Sequence, residues 1–177
     1  WYAAASVLRC SHLNRALCFR GNMSHIDSSN LYEELAQFEQ LPGLIDKVSV
    51  ESFQSVYGSI KASQAKGIVY IYMTEKPIPR LVGESRVLYI GKTDTSFKKR
   101  RSQDAKLHAT SKANKLKYSA VLSEYGPISV LVADFKRYGD TSLKAEGQLL
   151  WWYFQNHCEY PPLNYTKTKV RTDKVQT

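Results

Sequence analysis

The sequence has only three cysteines, and Cys10, Cys18 and Cys158 do not have the spacing of a metal-binding motif. An odd number of widely spaced cysteines argues against the disulfide framework of a small secreted protein. No apolar run approaches the roughly 20 residues that a membrane-spanning helix needs. We therefore expect an intracellular, cytoplasmic protein that does not span a membrane.

Acidic residues are scarce in one region of the chain. Residues 92–118 carry nine lysines and arginines against two acids, whereas residues 23–57 carry six acids against one lysine. The whole chain has 25 Lys and Arg against 16 Asp and Glu, for a formal net charge of +9. Such a charge favours a polyanionic partner, either a nucleic acid or an anionic membrane, and its concentration in one region favours the nucleic acid.

The length of 177 residues suits one domain with extensions. Residues 1–22 contain three arginines and no acid, which is typical of an organellar transit peptide or of translation from upstream of a start at Met23. We favour the second interpretation; the first predicts an organellar location. We expect 1–22 to be a disordered or non-native extension, 23–65 an N-terminal helical arm, 66–166 the main domain and 167–177 a basic tail.

Hydrophobic periodicity predicts three strands, at 67–73, 86–91 and 128–135. It predicts helices at 96–108, 111–125 and 141–156, and two helices of the arm at 28–40 and 49–62. A small sheet covered by helices makes an α+β domain.

Tyrosines mark the first two predicted strands. Tyr70 and Tyr72 share one face of their strand because side chains alternate, and Tyr89 on the next strand lies shortly before Lys92. Tyrosine on a strand usually serves packing. The nearby lysine suggests a second role for these tyrosines, in which their phenols line one face of the sheet beside a cation.

Two helices add groups of a different chemistry. Arg100, Asp104 and His108 lie at i, i+4 and i+8, which indicates either a surface ion pair or a guanidinium aimed at a phosphate with a histidine nearby. Glu146 interrupts an apolar stripe on the helix predicted at 141–156. A buried carboxylate needs a cation, a donor network or a metal ion, so Glu146 pairs with an internal Lys or Arg or binds a metal.

The segments "IVYIY", "LYIGKT", "FKKR", Glu146 and "PPLNYT" follow one another in the order of the motifs of the GIY-YIG nuclease family, which the chain resembles from about Gly67 to Tyr165. The resemblance implies a small, three-stranded, mainly antiparallel sheet flanked by helices, and a metal-dependent phosphodiesterase. By position it implies a site made of Tyr70, Tyr89, Lys92, Arg100, Glu146 and Asn164, with Glu146 as the ligand of Mg²⁺ or Mn²⁺.

The sequence departs from the family pattern at two places. His108 corresponds only loosely to a histidine that usually lies nearer the arginine, where this chain has Asp104. Gly67 precedes Tyr70 by three residues instead of two, so either Ile68 replaces the glycine or the strand carries a bulge, and Tyr72 is an outside candidate for the first tyrosine.

Hydrolysis of a phosphodiester requires an activated water and charge stabilisation at the phosphorus. We expect Tyr70 to be the base for water if Lys92 or the metal lowers its pKa, with His108 as the competing base, while Arg100 binds the phosphate and Tyr89 and Asn164 orient the site. We expect double-stranded DNA to contact a basic set comprising Lys98, Lys99, Arg101, Lys106, Lys112 and Lys115.

The first expectation for function is a restriction-type DNA endonuclease that acts as a homodimer to cut two strands. This form is favoured because the sequence shows neither zinc-finger spacing nor a long linker to a DNA-reading module. A structure-selective repair or mobile-element nuclease, and a non-catalytic nucleic-acid binding module of the same fold, are the alternatives.

Overall fold

The computed structural model describes residues 30–164. The predicted extension at 1–22 and basic tail at 167–177 lie outside the described residues. In chain order the described part contains α1 (Asn30–Leu35), β1 (Glu39–Gln40), α2 (Val50–Tyr57), α3 (Ile60–Gln64), β2 (Lys66–Pro79), β3 (Glu84–Ser96), α4 (Phe97–Thr110), α5 (Lys112–Tyr125), β4 (Ile128–Asp134), a single 3-10 turn (Phe135–Arg137) and α6 (Ser142–His157).

The chain forms an α+β domain around an antiparallel sheet in which the strands lie in the order β1-β4-β2-β3. We predicted three strands, and the described residues form four. The additional strand, β1, is two residues long, and Leu41 just after it donates a hydrogen bond to the Val130 carbonyl at 2.8 Å. A strand this short shows no alternation of apolar and polar residues, so the sequence pattern gave no sign of it.

The sheet buries both of its faces. Tyr70 and Tyr72 point into one core, which they share with α2, α4 and α5. Val69 and Ile71 point into the other core, which α1 and α6 cover. Alternation along β2 therefore separates the tyrosines from the aliphatic side chains, as the sequence predicted.

The described part of the expected N-terminal arm, residues 30–65, packs against the sheet instead of projecting from it. Leu31 of α1 is fully buried in one core, and Phe53, Val56 and Tyr57 of α2 are fully buried in the other. The helix predicted over 49–62 is divided near Gly58, and Ser59 then caps α3 by accepting a hydrogen bond from the Ala62 amide.

Two helices after the hairpin, α4 and α6, begin close to their predicted positions because a serine or threonine side chain caps each of them. Ser96 accepts a hydrogen bond from the Lys99 amide at the start of α4, and Thr141 accepts one from Lys144 at the start of α6. Within residues 30–164, none of the helices has the length and apolar character needed to cross a membrane.

Candidate active site

A cavity of about 350 Å³ opens where β2, β3, α4 and α6 meet. We call it the active-site cavity. Five residues that we predicted from the sequence line it together: Tyr70, Tyr89, Lys92, Arg100 and Glu146. The same wall includes Thr93, Asp94 and Thr95, which we did not predict.

Tyr70 is 1 % exposed, and it pairs across the hairpin with Gly91 of β3. A Cβ atom on Gly91 would lie 2.7 Å from the Tyr70 ring and hydroxyl and 2.7 Å from the Tyr89 ring. This separation is too short for any side chain, so the glycine of "LYIGKT" provides the space in which the two phenol rings lie.

The register of the hairpin shows where β2 is regular. Pairing runs without interruption from Ile68 to Tyr72, and irregularities lie on both sides of this stretch, between Lys66 and Ile68, between Tyr72 and Met73 and between Met73 and Ile78. No extra residue of β2 separates Ile68 from Tyr70, so Ile68 occupies the position two residues before the tyrosine. Gly67 has a φ of +58° and packs beside Phe135.

Tyr72 lies outside the active-site cavity. It is 1 % exposed, and its hydroxyl donates a hydrogen bond to the Tyr57 hydroxyl at 3.0 Å. Of the two candidate tyrosines on β2, Tyr70 is therefore the one that reaches the cavity.

Arg101, which we expected among the DNA-contacting residues, is buried instead of lying on the surface of α4. Its exposure is 8 %, because α4 turns Phe97, Arg101, Ala105 and Ala109 toward the core at intervals of four residues. Its Nη2 donates a hydrogen bond to the Tyr70 hydroxyl oxygen at 2.6 Å. Its Nη1 lies 2.8 Å from Asp104 Oδ2, so Asp104 pairs with Arg101 instead of Arg100.

Three tyrosine rings surround the Arg101 guanidinium. Its central carbon lies 5.1 Å from the Tyr70 ring centroid, 5.8 Å from that of Tyr72 and 5.3 Å from that of Tyr89. These distances are within the range of cation–π attraction. Burial opposes the charge, but the tyrosines and Asp104 outweigh it and raise the pKa of Arg101, so the guanidinium remains charged.

Burial raises the pKa of Tyr70 well above its usual value of about 10. The charge of Arg101 acts in the opposite direction, and that of Arg100 does so more weakly. We expected Lys92 or a metal ion to lower this pKa, yet the cation in contact with the phenol oxygen is Arg101. At neutral pH Tyr70 is therefore a protonated phenol that accepts a hydrogen bond from a buried cation.

Lys92 forms an ion pair with Asp94, with 3.1 Å between Nζ and Oδ2. A hydrogen bond with Ser142 at the start of α6, followed by that with Lys92, lowers the pKa of Asp94. The sequence contained a signal for Asp94, since it lies two residues after Lys92 and thus on the same face of the strand.

Glu146 lies at the edge of the packed face of α6. Its neighbour Ala145 and the later residues Leu149, Leu150 and Tyr153 are buried, whereas Leu143 is 38 % exposed. The apolar stripe that we expected around Glu146 is therefore incomplete on one side. The half-buried carboxylate faces the active-site cavity there instead of being enclosed in the core.

The carboxylates at this cavity suit a hard divalent cation. Glu146 and Asp94 line it, and no group of three or more His, Cys, Asp or Glu side chains within residues 30–164 is placed to hold a metal ion. Mg²⁺ keeps several of its waters and binds through one or two carboxylates together with phosphate oxygens of a substrate. Glu146 with water and a phosphate therefore fits such an ion.

Most of the predicted DNA-contacting residues are on the surface. Lys98 and Lys99 are exposed in the first turn of α4, which also carries Arg100 at the active-site cavity. Lys106, Lys112 and Lys115 are also exposed.

His108 is not part of the active-site cavity. It lines a separate cavity that shares Tyr89 with the active-site cavity, and its Nδ1 lies 3.2 Å from the Tyr57 hydroxyl. Burial, and then the charge of Arg101, lowers its pKa to about 4. The structure therefore separates His108 from Glu146 and keeps it neutral at physiological pH.

Asn164 supports the site from behind. Its side-chain amide accepts a hydrogen bond from the Ile90 N–H at 2.9 Å and donates one to the Ile90 carbonyl at 2.8 Å. Both bonds hold the backbone of β3 next to Gly91. Asn164 therefore acts on the position of the strand and does not line the cavity.

We compared the chain with protein-family models, with curated proteins and with solved structures, and none of the three comparisons gave a match. The motif residues and their arrangement in the fold are therefore the observations from which we infer a function.

Proposed function

We propose that this chain is a metal-dependent DNA endonuclease that hydrolyses phosphodiester bonds. One observation carries the proposal: Tyr70, Tyr89, Lys92, Arg100 and Glu146, selected from four separate sequence segments, line the same cavity. Packing alone gives no reason to gather two phenols, two cations and a carboxylate around one opening.

The cations around the opening fit a phosphate of the DNA backbone. Arg100 is exposed at the rim, and its planar fork matches two phosphate oxygens. Lys92, which is paired with Asp94, supplies a second cation inside the cavity. Lys98 and Lys99 extend this charge along α4, where they neutralise neighbouring phosphates without reading bases.

Glu146 holds Mg²⁺ or Mn²⁺ in this proposal. When bound, the ion stabilises the charge that develops on the phosphate oxygens and on the leaving oxygen. The protein provides an anchoring carboxylate and leaves the rest of the coordination to water and substrate.

Tyr70 is the proposed acceptor for the proton of the attacking water, and it accepts this proton only in its ionised form. Arg101 donates to the phenol oxygen, so it stabilises the phenolate relative to the phenol. Tyr89 orients the water or the phosphate, and Asn164 keeps β3 in place behind them.

Cleavage of plasmid DNA tests the proposal. Supercoiled plasmid incubated with the full chain and Mg²⁺ should be nicked or linearised, and EDTA should abolish the reaction. Retarded migration of the plasmid without cleavage, under conditions that include Mn²⁺, would show the alternative, which is a binding module of the same fold.

The cut ends then decide which kind of endonuclease it is. Restriction-type cleavage, the form that we propose, gives ends at one fixed sequence, and a homodimer cuts both strands together. Ends at one fixed DNA shape, such as a branch or flap, would instead assign the chain to structure-selective nucleases.

A further inference from the structure

A second cavity, of about 120 Å³, lies beside the active-site cavity, and Tyr89 lines both. We call it the donor cavity, because the polar side chains around it are Arg101, His108, Asn114 and Lys117, set among the rings of Tyr72, Tyr89 and Tyr118. No carboxylate is among the described residues that line it.

Arg101 has hydrogen-bonding capacity left at this cavity. A guanidinium has five N–H groups, and the described partners of Arg101 are Asp104 and Tyr70. Its buried Nε has no hydrogen-bond partner among residues 30–164. Burying a donor without a partner costs folding free energy. An acceptor bound in the cavity supplies a hydrogen-bond partner to the guanidinium.

A relay of hydrogen bonds fixes which nitrogen of His108 carries the proton. The Tyr72 hydroxyl donates to the Tyr57 hydroxyl at 3.0 Å, which leaves the Tyr57 proton for His108 Nδ1 at 3.2 Å. The neutral ring therefore carries its proton on Nε2 and offers a donor from that atom. The low pKa of His108, about 4, is consistent with this neutral form.

The other two side chains are donors as well. The Asn114 amide nitrogen is 3.4 Å from the Leu107 carbonyl, a long contact that uses one of its two hydrogens. Lys117 adds a positive charge to the wall of the cavity. Donors from four side chains line this cavity, and two of them are cations, of which Arg101 is paired with Asp104. Such a set favours an anion that has several acceptor oxygens.

The size of the cavity limits which anion it accepts. A cavity of about 150 Å³ accommodates a benzene molecule, so one of about 120 Å³ has room for a single phosphate group and not for a nucleotide. Tyr89 lines both this cavity and the active-site cavity.

We infer that the donor cavity binds a second phosphate of the nucleic-acid strand, the neighbour of the phosphate that is cleaved. Binding of phosphate follows from the donors alone, whereas its assignment to the strand rests on the proposed function. Such a site fixes the strand at two points, one in each of the two cavities that Tyr89 lines, and thereby sets which phosphate enters the active-site cavity.

Inorganic phosphate is the first probe. Titrated into the metal-free full chain, it should shift the NMR resonances of the Asn114 side-chain amide and of the His108 ring. Lys117→Met should weaken this binding roughly tenfold or more, since a hydrogen bond to a charged group is worth about 1.5–3 kcal/mol. Lys136→Met, at an exposed lysine of the 3-10 turn that does not line the cavity, should leave it unchanged.

Asn114→Leu serves as a second variant, read on the His108 resonances, and should weaken phosphate binding in a folded protein. If phosphate leaves the Asn114 and His108 resonances of the wild type in place, or if Lys117→Met and Asn114→Leu bind it as the wild type does, the inference is overturned.

A short DNA duplex in EDTA is the second probe, and it requires no cleavage. Bound duplex should shift the same resonances and prevent inorganic phosphate from shifting them further. A duplex that binds by fluorescence anisotropy but leaves these resonances unmoved would overturn the assignment to the strand. Failure of the proposed function would be distinguishable, because the plasmid would stay uncut while inorganic phosphate still shifted the Asn114 and His108 resonances.

Discussion

Arg101 Nη2 lies 2.6 Å from the Tyr70 hydroxyl oxygen, and this contact joins a buried cation to the phenol that lines the active-site cavity. The guanidinium is 8 % exposed and the phenol 1 %, so water screens the interaction poorly. Arg101 therefore has an electrostatic effect on Tyr70 that no exposed lysine of α4 can have.

The first prediction concerns this pair. Removing Arg101 alone leaves Asp104 without its partner. The reference is therefore the single variant Asp104→Asn, and the test protein carries both Arg101→Gln and Asp104→Asn. The double variant should cleave roughly 10- to 100-fold more slowly in single turnovers, since a hydrogen bond to a charged group is worth about 1.5–3 kcal/mol. Equal rates would mean that Arg101 only fills space in the core.

The second prediction is a dependence of cleavage on pH. Burial raises the pKa of Tyr70 above about 10, so its ionised fraction grows with pH throughout the range below that pKa. Wild-type single-turnover rates should rise about tenfold per pH unit between roughly pH 7 and 9 without a plateau. In Tyr70→Phe the rate should be roughly 10² to 10⁴ lower and this rise should vanish.

His108 as the base would give a different profile. Its pKa is lowered to about 4, so its neutral, basic form is already complete near neutral pH and the rate would be flat there. A flat wild-type profile together with an inactive His108→Ala and an active Tyr70→Phe would refute the assignment of Tyr70.

The alternation of Tyr70 with Val69 and Ile71 let the sequence predict which face of β2 carries the phenols. This feature is local, because the period of a strand fixes it. The gathering of Glu146 with the hairpin residues came from the motif resemblance, since the spacing of distant segments gives no contact by itself.

Other parts of the site depended on details that one sequence does not contain. Arg100 and Arg101 are adjacent on α4, and only the rotation of the helix decides that the first reaches the surface and the second the core. His108 lies one turn after Asp104, and the position of α2 decides that it meets Tyr57 and not Glu146. The helical period gives the spacing of residues on α4, but tertiary packing decides which of them are buried and which groups they contact.

The third prediction tests the space above Gly91. Gly91→Ala introduces a Cβ at 2.7 Å from Tyr70 and Tyr89, so it should lower stability by about 1–3 kcal/mol and abolish cleavage by displacing the phenols. Gly83→Ala is the control: its Cβ meets nothing within 4 Å but its φ of +67° strains an alanine. Denaturant unfolding should show a cost in both variants, with cleavage lost only in Gly91→Ala.

The fourth prediction concerns the exposed cations beside the cavity. Replacing Lys98 and Lys99 by glutamine should weaken binding to all duplex sequences alike and reduce the slope of log affinity against log salt by roughly two. Lys136→Gln, an exposed lysine in the 3-10 turn, should leave the slope unchanged. Anisotropy titrations at several salt concentrations measure this, and an unaltered slope in the double variant would mean that this turn of α4 does not contact DNA.

The most direct test of the account is the metal-dependent cleavage rate of Glu146→Gln, measured in single turnovers beside its affinity for uncut duplex. The account predicts a rate at least roughly 10³-fold below wild type, because the charge stabilisation by a metal ion is worth several kcal/mol, with DNA affinity within a few-fold of wild type. Glu124→Gln, an exposed glutamate of α5, should cleave normally. Cleavage by Glu146→Gln at a near wild-type rate would contradict the assignment of Glu146 as the metal ligand and, with it, the proposed active site.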